Sequence, residues 1–171
     1  MDTILKQNIF SLLCKHAGEK LSQRDIALQL KVSPTAVSKS LHGLKGLVNI
    51  EKTKTINFTT LNRDNPKTIE HKKIENIKSI YNSGLHNFLS EKLGRSTIIL
   101  FGSFLRGEDN INSVIDLAVI GRSPKDLQLK KFEKKLIRQI NINFHSSWKN
   151  INKNLRNNIL NGLVLHGSVE L

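Results

Sequence analysis

The chain is short of the groups that small proteins use to staple, anchor or metallate themselves. Its 171 residues include one cysteine, Cys14, and a lone thiol excludes an internal disulfide and a cysteine-rich zinc site. Cys14 falls in an apolar helical stretch and reads as a small core residue. No apolar run approaches the roughly 20 residues of a membrane span. The opening MDTILKQNIF also lacks the apolar centre of a secretory signal. The expectation is a cytoplasmic protein with no membrane partner. Six histidines, His16, His42, His71, His86, His145 and His166, show no ligand spacing with cysteine or acids, and no local motif arranges a hydrolytic triad.

Acid is scarce as well. Fourteen Asp and Glu face 27 Lys and Arg, a formal charge of +13. The excess is spread along the chain: ten basic and five acidic groups in 1–66, six and three in 67–96, eleven and six in 97–171. No block is a basic tail, so the charge belongs to folded surface and favours polyanions.

What is present begins with helical periodicity. Leu5, Ile9, Leu12 and Leu13 predict one apolar face over residues 3–17, with Gly18 as a stop. Ser22 before Gln23-Arg24-Asp25 supplies a cap and a first-turn acid for a second helix burying Ile26, Ala27 and Leu30. After Lys31-Val32-Ser33, the Ser33-Pro34 pair is a cap followed by a residue with φ already set. Val37, Leu41 and Leu44 then give a third helix its buried face. Thr35, Ser38, Lys39 and His42 remain on the outer face, short polar and basic side chains suited to base edges and phosphates. Val48-Asn49-Ile50 and Ile56-Asn57-Phe58 alternate around a polar turn near Lys52-Thr53-Lys54, as in a two-stranded wing. The candidate DNA contacts are therefore Ser33, Thr35, Ser38, Lys39, His42, Lys52 and Lys54.

The segment LSQRDIALQLKVSPTAVSKSLHGLKGLV resembles the winged-helix family of prokaryotic regulators. Ala27, Val32, Ser33, Val37, Leu41, Leu44, Gly46 and Leu47 carry the likeness. The resemblance implies a winged helix-turn-helix over 1–61 that binds double-stranded DNA, commonly as a homodimer on a two-fold site.

Asn62-Arg63-Asp64-Asn65-Pro66 breaks the pattern. An amphipathic helical linker, 62–94, follows, with Ile74, Ile77, Tyr81, Leu85 and Phe88 at steps of three and four and a bend at Asn82-Ser83-Gly84. Two uses fit it: packing on the next domain, or a dimer seam.

Residues 95–171 predict a small α/β domain. Thr97–Phe101 is a β-branched apolar run before Gly102-Ser103, and Val114–Ile120 a second one holding Asp116. Residues 126–138 read as a helix with Leu129, Phe132 and Leu136 inward and Lys130, Lys131, Lys134, Lys135 and Arg138 mostly outward. A strand over Ile140–Phe144 and further helices complete the order.

The stretch LFGSFLRGEDNINSVIDLAVIG resembles the minimal nucleotidyltransferases, a branch of the polymerase-β-like superfamily, through Gly102, Ser103, Arg106, Gly107, Ser113 and Asp116. The closing NNILNGLVLHG is similar too. The resemblance implies a Gly-Ser turn that admits a triphosphate, with strand carboxylates holding Mg2+. This chain departs at the first carboxylate, Val114, and Asn141 and Asn143 are neutral where the third acid would lie. Gly102, Ser103, Arg106 and Asp116 form the degenerate nucleotide site, and Asp116 is the one weak metal candidate. Asp116 is expected either to pair with Arg106 or cap a turn, or to retain contact with a metal or phosphate.

The overall expectation is an α+β pseudoenzyme: a winged helix-turn-helix, a helical linker and a nucleotidyltransferase-like domain used for dimerisation, ligand sensing or partner binding. The competing reading is an active Mg2+-dependent transferase targeted by its winged helix, including an antitoxin-like enzyme that modifies a helical protein partner.

Overall fold

A computed structural model describes residues 2–170. The chain divides into two compact units between Glu75 and Asn76. Among the described residues no helix is long and apolar enough to cross a membrane.

In the first unit, α1 (Asp2–Lys15) buries Ile9, Phe10, Leu13 and Cys14. A two-residue strand, β1 (Leu21–Ser22), leads into α2 (Gln23–Leu30). Here Ser22 closes a reciprocal cap. Its hydroxyl accepts from the Asp25 N–H at 3.0 Å, and the Asp25 carboxylate accepts from the Ser22 N–H at 3.0 Å. The Ser22 hydroxyl, then its backbone N–H, hold the Asp25 carboxyl below the usual carboxylate range. Lys31, at φ 55°, ends this helix.

Next comes α3 (Pro34–Leu41), capped by the Ser33 hydroxyl, which accepts from Ala36 N–H at 3.2 Å. Val37 and Leu41 point into the core, and a 3₁₀ turn, His42–Leu44, adds Leu44. The strands β2 (Val48–Lys52) and β3 (Asn57–Leu61) complete an antiparallel sheet in the order β1-β3-β2. The second strand starts later than its alternation predicts. Thr53 donates its hydroxyl to the Ile56 carbonyl and accepts from the Ile56 N–H. That bond pair takes Ile56 into the hairpin tip, 39% exposed, and Thr59 and Leu61 become the inward residues.

Two helices span the segment read as a linker. The first, α4 (Pro66–Asn82), ends at Ser83-Gly84, where Gly84 has φ 83°. The second, α5 (Leu85–Leu93), buries Leu85, Leu89 and Leu93 in the core of the second unit. Then follow β4 (Thr97–Phe101), α6 (Gly102–Arg106), β5 (Ile115–Ile120), α7 (Lys130–Leu136), β6 (Ile140–His145), a 3₁₀ turn at Trp148–Asn150, α8 (Lys153–Leu160) and β7 (Leu163–His166).

The four strands lie in the order β6-β5-β4-β7. β4 is antiparallel to both β5 and β7, and β6 is parallel to β5. So β5, β6 and β7 run one way and β4 runs against them. Ile98 and Leu100 face a core with α5 and α7, while Ile99 and Phe101 face Ile151 and Ile159 on the other side. Burial on both faces is why β4 reads as an unbroken apolar run.

α7 is shorter than the predicted 126–138. Leu129 offers no side-chain cap at its start, and Ile137 takes a left-handed φ of 54° at its end. Arg138, expected outward, is 4% exposed. The closing strand β7 replaces the all-helical ending that the sequence suggests.

Candidate functional site

The Gly-Ser element and Asp116 meet at one end of the four-stranded sheet. Phe101, the last residue of β4, is the register partner of Asp116 on β5. The chain then turns through Gly102 at φ 83°, a conformation that favours glycine. A Cβ at this position would lie 2.7 Å from the Asp116 Oδ2, so the turn passes directly over the carboxylate. Ser103 sits in the first turn of α6.

Asp116 does not pair with Arg106. Its Oδ1 accepts from the Asn141 amide at 3.1 Å, Asn141 being its register partner across the parallel β5/β6 pair. Arg106 instead donates to Glu108 at 2.7 Å, with both side chains about half exposed (51% and 53%). Val114, half-buried just before β5, lines a cleft of about 430 Å³ with Ser113, Glu133, Ile137 and Gln139.

The donors can be tested against the magnesium that the family resemblance implies. A two-ion site needs converging carboxylates that hold ions about 4 Å apart. The available groups are Val114, which offers none, Asp116, already accepting an amide N–H, and Asn141, whose amide nitrogen faces Asp116. Among the described residues no three His, Cys, Asp or Glu side chains are grouped to hold a metal. These residues do not fit a two-ion centre.

Sequence reasoning missed the polar knot behind this end of the sheet. Arg138 and Asp109 form an ion pair at 3.0 Å, with side chains 1% and 0% exposed. The Asn76 amide donates to Asp109 at 2.7 Å and to the Phe104 carbonyl at 2.8 Å. The partners lie 29 and 33 residues from Asp109, and no local pattern announces them. The run of cations around Arg138 disguised it as one more solvated charge.

In the first unit, Ser33, Thr35, Lys39 and His42 are exposed on or beside α3, and Ser38 is half-buried. The Ser33 hydroxyl is committed to its cap. His42 Nδ1 lies 3.0 Å from the Ser38 carbonyl, which leaves its second ring nitrogen for other contacts. Lys52 and Lys54 are exposed at the β2–β3 tip.

A Gly-Ser turn leaving one strand above an aspartate on the next, in a mixed sheet with helices on both faces, defines an α/β domain of the nucleotidyl-transfer class. The family model for the nucleotidyltransferase domain matches residues 83–168, and the chain belongs to that family. No curated protein and no solved structure matches it.

Proposed function

We propose that the protein binds duplex DNA, as a transcription regulator, through an N-terminal winged helix-turn-helix. Its nucleotidyltransferase domain then serves as a binding or partner module without turnover. The observation that carries this reading is the outer face of α3. Thr35, Lys39 and His42 are exposed there, and the face holds no acid and no large apolar side chain. Short donors and one cation suit a major groove, and Lys52 and Lys54 at the hairpin tip suit adjacent phosphates. The first 75 residues carry thirteen basic and seven acidic groups, which favours a polyanion. A homodimer would match a two-fold site.

Loss of turnover rests on the donor set. A single carboxylate, already hydrogen-bonded to Asn141, cannot supply the charge stabilisation that two ions give a departing pyrophosphate.

The test is fluorescence anisotropy of labelled duplex with the full chain across a salt series. Lys39→Ala is expected to weaken binding and to reduce the salt slope by about 1. Unchanged affinity and slope in that variant would remove α3 as the docking face.

A further inference from the structure

The end of the sheet away from Asp116 carries no family motif, yet it too holds a cleft. Because β5, β6 and β7 run together, three strands end there, at Ile120, His145 and His166. The span from Asp116 to Ile120 is about 13 Å along β5. A cleft of about 410 Å³ lies at these strand ends, lined by Arg95, Thr97, Gly121, Ser147 and Trp148 among others. That volume falls within the roughly 300–1,000 Å³ of small-ligand sites.

Thr97 donates to the Ser168 carbonyl and Ser146 accepts from the Asn150 amide, but other groups around this cleft are unanswered within the described residues. Arg95 is exposed and has no ion-pair or hydrogen-bond partner. Ser147 stands at the start of the 3₁₀ turn without capping it. His145, the last residue of β6, is not on the cleft wall, and its Nε2 is buried without a hydrogen-bond partner among the described residues. Gly121, at φ 95°, has open space where a Cβ would go. Trp148 is half-buried, packing against the apolar cluster that includes Ile120, Ile151 and Ile159 while also lining the cleft.

Charge gathers beside these groups. Arg122 and Lys125 each reach the Lys92 carbonyl at 3.3 Å, at the end of α5. Among the described residues Lys92, Arg95, Arg122 and Lys125 stand with Glu91 and Glu170, and Asp126 follows Lys125 in the chain. Glu91 pairs with Lys92, and Glu170, on the cleft wall, accepts from Ser168.

We infer that this cleft is a nucleotide-binding site away from the Gly-Ser turn, in which a base stacks on Trp148 and its phosphate meets Arg95 and the Ser147 hydroxyl. A planar aromatic surface beside unpaired guanidinium and hydroxyl donors is the pairing that holds single-stranded nucleic acid without reading its sequence. The same chemistry serves a free nucleotide. The inference is independent of the α3 proposal, since it involves a different unit and a different form of nucleic acid.

Trp148 is the chain's one tryptophan, so its fluorescence reports this cleft whatever binds elsewhere. The full chain is titrated at low salt with a ten-residue oligothymidylate and, separately, with AMP. Saturable quenching is expected. Arg95→Glu, an exposed change whose fold is checked by circular dichroism, should raise the half-saturation concentration at least tenfold. Tighter quenching by the oligonucleotide assigns the cleft to a strand, and equal or tighter quenching by AMP assigns it to a free nucleotide. No quenching by either probe, or identical curves in Arg95→Glu, would overturn the inference. Duplex binding through α3 is read by anisotropy, so either proposal can fail without the other.

Discussion

The two ends of the four-stranded sheet differ in how their polar groups are satisfied. At the Gly-Ser end each charge of the motif region has an internal partner: Asp116 with Asn141, Arg106 with Glu108, Asp109 with Arg138 and Asn76. At the opposite end Arg95, Ser147 and His145 Nε2 have no partner among the described residues. A buried or confined polar group is costly unless it is hydrogen-bonded. An end that satisfies itself has the character of structure, whereas at the other end only His145 Nε2 bears that cost, and Arg95 and Ser147 stay within reach of water and of a ligand. The family signature and the unmet chemistry therefore lie at different places in one domain.

The largest expected effect is on the satisfied end. Asp109→Ala would leave the Arg138 guanidinium buried without its carboxylate, a class of change that destabilises by about 3–5 kcal/mol. Urea unfolding should show the midpoint falling steeply. A loss below about 1 kcal/mol would mean that water reaches Arg138 and that this end is looser than its geometry implies.

A smaller effect should follow from supplying the missing carboxylate. Val114→Asp places an acid two residues before Asp116, where side chains on an extended chain share a face, beside a cleft that solvent can enter. Isothermal titration with Mn2+ should show binding strengthened about tenfold over the native chain, roughly 1.4 kcal/mol. No gain would show that Asn141's hold on Asp116, and not the absent acid, keeps the ion out.

The smallest effect belongs to the opposite end. Arg95→Glu should change the unfolding free energy by no more than about 0.5 kcal/mol, because an exposed side chain without partners holds nothing together. A large loss of stability would make Arg95 a structural residue and erase the contrast between the two ends.

What could be read from the sequence follows the reach of the interactions. Ser22-x-x-Asp25 and Ser33-Pro34 act within three residues, and both caps form at the predicted positions. Thr97–Phe101 is legible because burial on both faces demands a continuous apolar run. The Gly102–Asp116 contact is legible through family resemblance, since spacing alone does not reveal that β4 and β5 pair in that register. The features that escaped are non-local or hidden by composition. Arg138 looks like its lysine neighbours until Asp109 is brought to it. The strand β7 is short and exists through its pairing with β4. The open cleft draws its lining from five separate stretches between Gly94 and Glu170, none of which carries a pattern of its own.

The bond between Asp116 and Asn141 has a consequence for how the domain holds together. A cluster of three acids repels itself and leans on a bound cation to close, which ties folding to divalent-ion supply. With Val114 and Asn141 near Asp116, this chain instead carries an amide-to-carboxylate clasp between neighbouring strands. The sheet end is thereby fastened from within by a hydrogen bond across β5 and β6 that itself asks for no cation.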